Sequence, residues 1–182
     1  MEFNLTKIKF SNNDLKSGIK IPKILTKELA EFLGIMIGDG HIGKYKNKLG
    51  KNSYLHYEMN ICGNIKDKNY YKTHVNNLFF EIFNTKFNFF TIKKKNAIIL
   101  RKDSKAIYFF LSKIIGIPSR KDNVSIPSCI LRGSKKVKSY FLKGFADADF
   151  CLTVKYKPNK YPVIHGTSKS KTLITQSSKN FK

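Results

Sequence analysis

Asp39 and Asp149 occupy the same place in two copies of one nine-residue pattern. Phe32-Leu33-Gly34-Ile35-Met36-Ile37-Gly38-Asp39-Gly40 and Leu142-Lys143-Gly144-Phe145-Ala146-Asp147-Ala148-Asp149-Phe150 stand in register at an offset of 110 residues. Each copy has an apolar start, glycine at the third place, a small residue at the seventh and aspartate at the eighth. A lone Gly-Asp-Gly after an apolar helix is commonly a C-cap and a turn. Two copies in register point instead to a shared site. Like carboxylates brought side by side repel unless cations sit between them. Hard Mg²⁺ (or Mn²⁺), which prefers carboxylate, carbonyl, water and phosphate oxygens, is the natural occupant. Metal ions so held can activate water and stabilise a leaving oxygen, which is what phosphodiester hydrolysis needs, with no nucleophile from the protein.

The aspartates must be positioned by helices. Thr26 is a good N-cap; Leu29, Leu33 and Met36 then recur at helical spacing, while Ala30, Gly34 and Gly38 line a second face at every fourth position. Small residues so spaced let two helix backbones approach closely. A second helix is expected after Lys135, through Val137, Tyr140 and Phe141, to Asp147-Ala148-Asp149. Packed on the first, it sets Asp39 and Asp149 side by side across a pseudo-twofold axis. Asp147 falls where the first copy has Ile37, so a structural hydrogen bond is its expected role. β-Ribbons follow each helix: 41–48 with 53–62, in which Leu55, Tyr57, Met59 and Ile61 can face a core, and Phe150–Lys157 with Tyr161–His165. In the first unit a helix over 67–83, a second ribbon (Phe87–Ile92, Ala97–Arg101) and a helix through Ile107, Phe110, Leu111 and Ile114, stopped by Gly116 and Pro118, complete the order.

The organisation read from this is an N-terminal arm at 1–25, a first unit at 26–116, a linker at 117–135 with a short helix near Cys129–Leu131, and a second unit at 136–182. The fold class is α+β. The second unit reads as incomplete, because counterparts of the second ribbon and last helix are missing and Gln176-Ser177-Ser178-Lys179 lacks an apolar face.

Lys and Arg number 35 against 12 Asp and Glu, a formal net charge of +23, which favours a polyanionic partner, nucleic acid first. No apolar run is long enough to span a membrane and no early stretch resembles a signal peptide, so an intracellular protein is expected, in prokaryotic cytoplasm or an organelle. Cys62, Cys129 and Cys151 form no CxxC pair and suggest neither a disulfide framework nor zinc. The four histidines are scattered.

The paired pattern resembles the LAGLIDADG (DOD-type) motif of homing endonucleases, and the resemblance extends over nearly the whole chain because each copy leads into a β-ribbon. It implies a pseudo-twofold repeat of αββαββα units in one chain, a monomeric pseudodimer that truncation could allow to self-associate. It also implies one catalytic aspartate per DNA strand, Asp39 and Asp149, with the preceding carbonyls of Gly38 and Ala148 contributing to metal binding. A staggered double-strand cut across the minor groove would follow, with calcium permitting binding but not cutting. Basic residues near the site orient water in this family, and Arg101 and Lys102 are the candidates. Phe150 departs from the closing glycine and alters the turn into the strand.

Strand alternation then gives the DNA-facing set: Cys151, Thr153, Lys155 and Lys157 in the second ribbon, and His41, Gly43, Tyr45 and Asn47 in the first, where Lys44, Lys46 and Lys48 blur the pattern. Twisted ribbons suit the major groove of double-stranded DNA. Four other readings compete. A maturase would bind intron RNA with the same basic surface. A decayed DNA-binding remnant would not cut, although retention of both aspartates speaks against a purely regulatory protein. Self-splicing is disfavoured by the Met1 start and the Lys182 end.

Overall fold

The computed structural model describes residues 1–49, 52–156 and 158–180. Helix α1 (Asn12–Lys16) is closed by a capping box between Ser11 and Asp14. Asp14 is buried and also accepts the Ala106 N–H at 3.1 Å. Residues 1–25 are therefore fastened to the body, and Phe3 and Ile19 enter the core.

Helix α2 (Lys27–Gly38) starts where Thr26 Oγ1 accepts the Leu29 N–H, and every residue from Leu29 to Gly38 is buried. A helix enclosed all round sits at the centre of a fold, not on its surface. Thr26→Ala removes the cap; it is expected to cost about 1 kcal/mol, seen as a melting temperature lower by roughly 2–4 °C.

Strands β1 (Gly40–Leu49) and β2 (Asn52–Asn64) pair antiparallel with Gly40 opposite Ile61 and Tyr45 opposite His56. After the short turn Ile65–Asp67, α3 (Lys68–Tyr70) passes through a π turn, Tyr71–Val75, into α4 (Asn76–Phe83), which ends on left-handed Asn84 (φ 55°). Strands β3 (Asn88–Ile92) and β4 (Ala97–Asp103) follow, with left-handed Asn96 closing their turn. The sheet order is β1-β2-β4-β3. Helix α5 (Lys105–Phe109) continues through a π segment, Phe110–Ile115, to Gly116, whose φ of +87° stops it. Helix α6 (Ser128–Leu131), the long α7 (Lys135–Asp149), the two-stranded pair β5 (Phe150–Lys155) and β6 (Tyr161–Gly166), and α8 (Lys171–Asn180) complete the chain. The architecture is mixed α+β with antiparallel sheets.

Ile42, Met59, Ile61, Ile98 and Leu100 turn one sheet face inward onto α2 and the aromatic cluster Phe32, Phe79, Phe83 and Phe110. The other face, carrying His41, Tyr45, His56 and Arg101, is open. Leu55 does not reach the core as alternation suggests; it is 51% exposed. Its ribbon outruns the helices beneath, so both faces of its tip meet solvent. That is also why Lys44, Lys46 and Lys48 can share Ile42's parity.

The stretch expected as a linker packs: Val124, Ile126, Cys129 and Ile130 are buried. Helix α8 holds it less by an apolar stripe than by polar contacts, since Ser170 Oγ donates to the Val124 carbonyl at 2.6 Å and Gln176 Oε1 accepts the Ile126 N–H at 2.8 Å. Leu173 is its buried apolar anchor. All three cysteines are free. Among the described residues no helix is long and apolar enough to cross a membrane.

Candidate metal and nucleic-acid site

Helices α2 and α7 cross with their backbones in contact. A Cβ placed on Gly34 would run into the Phe141 carbonyl and the Phe145 N–H, and one on Gly144 into the Glu31 carbonyl. Gly34 thus meets Phe141 as Gly144 meets Glu31, and both pairs are related by the same 110-residue offset. That reciprocity is the signature of a twofold contact between equivalent surfaces. Lys143 Nζ donates to Glu31 Oε1 across the crossing at 2.7 Å.

One turn further on, a Cβ at Gly38 would strike the Ala148 methyl and lie 3.4 Å from Asp149 Oδ2. The two motif carboxylates therefore come together at the helix ends. Asp39 Oδ2 accepts a 2.8 Å hydrogen bond from the buried Tyr71 hydroxyl; among the described residues no donor reaches Oδ1. Burial raises the Asp39 carboxyl above its ordinary range; the Tyr71 hydrogen bond opposes the rise, the Asp149 charge adds to it and Lys121 offsets it. Asp149 is raised in the same direction, again by burial, with Lys121 opposing. The Tyr71 hydroxyl, raised far above its normal range by burial and the neighbouring Asp39, remains a donor.

Lys121 is the residue that sequence reasoning missed. Its ammonium donates to the Gly38 carbonyl, the oxygen expected to help hold a metal. A protein cation already occupies this oxygen-rich corner, and half-buried carboxylates with raised pKa values are the counterpart that a hard divalent ion would satisfy. The donor set fits Mg²⁺ or Mn²⁺. A cavity of about 430 Å³ opens beside it, lined by Gly38, Lys121, Asp149, Thr167, Ser168 and Lys169. The Ala148 methyl is the spacer against Gly38.

Arg101 and Lys102, expected to orient water, part to opposite faces of β4. Neighbours on a strand point to opposite faces. Lys102 turns inward and donates to Thr85 Oγ1 at 2.6 Å, its pKa lowered by burial. Arg101 turns to the open face, where it meets Glu58 at 2.8 Å, Asp103 at 3.2 Å and His56 at 2.8 Å. Ligand atoms of His56, Glu58 and Asp103 lie within 4.8 Å of one another, a spacing open to a metal ion, with Arg101 paired to Glu58 and Asp103 beside them. Asp147 makes the hydrogen bond expected of it, from the Tyr70 hydroxyl at 3.1 Å. Phe150 packs edge-on against Phe145 at 5.2 Å and its ring covers Gly166.

His41, Tyr45 and Asn47 lie on the open face of the sheet; His41 Nε2 and the Tyr45 hydroxyl are 2.9 Å apart, and the Tyr45 ring folds over Gly43. Cys151, Thr153 and Lys155 are exposed on one face of β5, opposite His165, Val163 and Tyr161. Lys157 lies outside the described residues.

No family model matches the chain. Among curated proteins, the probable translation initiation factor IF-2 of Methanocaldococcus jannaschii is similar at 28% identity over 182 residues. That alignment takes in 94% of this chain but only 13% of the initiation factor's length. Among solved structures, the LAGLIDADG homing endonuclease I-LtrWI bound to target DNA is similar with a TM-score of 0.48 and 14% identity, over 75% of this chain and 64% of that one. A variant of I-DmoI, in complex with target DNA nicked in one strand and in the presence of Mn, gives 0.47 and 17%, over 87% and 94%. I-GzeII in complex with a DNA target gives 0.47 and 14%, over 78% and 65%.

Proposed function

We propose that this chain is a site-specific, metal-dependent double-strand DNA endonuclease of the LAGLIDADG homing type. The observation that carries the reading is the pair Asp39 and Asp149, brought together by two glycine-apposed helices in a chain of net charge +23. Asp39, Asp149 and the carbonyls of Gly38 and Ala148 would hold the divalent ions. Those ions, when bound, supply an activated water and stabilise the leaving oxygen.

The remaining work falls to the chain's own residues. Tyr71 fixes the Asp39 carboxylate. Lys121, beside both aspartates, is placed to meet the negative charge of a scissile phosphate as it develops. His41, Tyr45, Asn47, Cys151, Thr153 and Lys155 face outward toward base edges and phosphates, with Lys157 continuing the series. The match to a small part of a long translation factor fits a module carried within a host reading frame, the intein-type association.

The test is cleavage of a randomised duplex library in Mg²⁺ by the chain and by its Asp39→Asn and Asp149→Asn variants. Discrete cuts lost in both variants are expected. Salt-sensitive binding to duplex DNA or to intron RNA with no cuts by the parent chain would replace the endonuclease with a binding remnant or a maturase. In the same assay Lys121→Met is expected to slow cutting by roughly 10²–10³-fold, the scale of one lost transition-state donor. Duplex affinity, measured in parallel, should change far less, since one cation among 35 is removed.

A further inference from the structure

The segment between α3 and α4 is wound as a π turn, Tyr71–Val75, a form that carries one extra residue and recurs at functional sites. Around it, three consecutive polar contacts reach the crossed helices. The Tyr71 hydroxyl donates to Asp39 Oδ2 at 2.8 Å, the Tyr70 hydroxyl donates to Asp147 Oδ2 at 3.1 Å, and His74 Nε2 lies 2.6 Å from Glu31 Oε1. Tyr71 is locked: its ring is buried, lies over Gly63 where any Cβ would collide, and meets the Tyr70 ring edge-on at 5.2 Å. Asp39 is thereby held through one oxygen with the other left open. Asp149 has no such partner; among the described residues nothing donates a hydrogen bond to its carboxylate, and Lys121 acts on it only through its charge.

We propose that Tyr71 is a positioning residue for Asp39 alone, so that the two halves of the metal site are unequal and the Asp39 half takes a divalent cation at the lower concentration. The proposal rests on the reading that these aspartates hold metal. A carboxylate whose rotamer is set beforehand does not have to be ordered when the ion arrives, a saving that corresponds to about 3- to 10-fold in affinity. Because one aspartate serves each DNA strand in the proposed enzyme, the inequality also orders the cuts: at limiting metal one strand is nicked ahead of the other.

The test is a Mn²⁺ titration of the full chain without DNA, following free Mn²⁺ by electron paramagnetic resonance. Two binding steps of different strength are expected. Asp39→Asn removes the tighter and Asp149→Asn the weaker. Tyr71→Phe, which keeps the ring, moves the tighter step about 3- to 10-fold toward the weaker and leaves the latter in place. Tyr70→Phe, which loses only the Asp147 contact, changes neither. Equal steps in the parent chain overturn the proposal, as does a Tyr71→Phe variant that is folded by circular dichroism and shifts both steps or neither. Mn²⁺ binding indifferent to both aspartate substitutions has a different meaning: the metal site itself is then wrong, and this inference goes with it.

Discussion

Asp39→Asn and Asp149→Asn are each expected to abolish cutting, by roughly 10²–10³-fold or more, and at the same time to raise the melting temperature of the metal-free protein at neutral pH. Burial lifts both carboxyls above their ordinary range, and for Asp39 the neighbouring Asp149 charge adds to the rise. A carboxyl with a raised folded-state pKa binds protons more readily folded than unfolded. Stability therefore falls as pH rises through the window between the unfolded and folded values, and the penalty is fully present above it. Asparagine is neutral throughout and escapes that cost, while its carbonyl can still accept the Tyr71 hydroxyl. The gain is read as an upward shift in melting temperature at pH 7. It should shrink as the pH is lowered toward the carboxylate range, where the parent aspartates also become neutral. Mg²⁺ supplies the control, since a ligand that binds only the folded state stabilises it. It should raise the melting temperature of the parent chain more than that of either variant. A variant that is less stable than the parent at pH 7 without metal would mean that the carboxylates are structural and the site has been misassigned.

The parts of this site that follow regular periods were legible in the sequence. Thr26, the four-residue spacing of Ala30, Gly34 and Gly38, and the equivalent positions around Gly144 dictate two closely apposed helices, and the structure shows the reciprocal contacts that spacing requires. The inner face of the sheet was equally readable near the core, through Met59 and Ile61, and failed at Leu55 because alternation says nothing about where the covering helices stop. Lys121 was illegible for a different reason. It lies in a stretch without apolar period, and reaches Gly38 only because Val124 and Ile126 on one side of it are buried and tied down by Ser170 and Gln176 from the other end of the chain. Tyr71 fell within the helix expected over 67–83, but a period of 3.6 cannot reveal the π turn that brings its hydroxyl to Asp39. For Arg101 and Lys102, the family resemblance suggested one shared role, whereas adjacent strand positions part to opposite faces.

Gly144→Ala and Gly34→Ala set helix propensity directly against packing. In an unencumbered helix interior, replacing glycine by alanine stabilises by about 1 kcal/mol. Here the new methyl group has no room: at Gly144 it would collide with the Glu31 carbonyl and lie 3.2 Å from Ile35 Cγ1, and at Gly34 it would strike the Phe141 carbonyl and the Phe145 N–H. The obstacles are helix backbone atoms, which cannot turn aside as a flexible side chain does. Overpacking of a well-filled core costs about 1–3 kcal/mol and sometimes more, and these positions belong at the upper end. A fall in melting temperature on the order of 5–10 °C is expected for either variant. Gly116→Ala provides the contrast: its methyl group meets nothing within 4 Å, and only the left-handed backbone at φ +87° resists it, so its loss should be distinctly smaller. Forcing α2 and α7 apart also separates the carboxylates that hang from their ends, so cutting should decline even at temperatures where the glycine variants remain folded. If Gly144→Ala instead raised the melting temperature, propensity would have won, the two helices would not be in backbone contact, and Asp39 and Asp149 would lose the scaffold that makes them a single site.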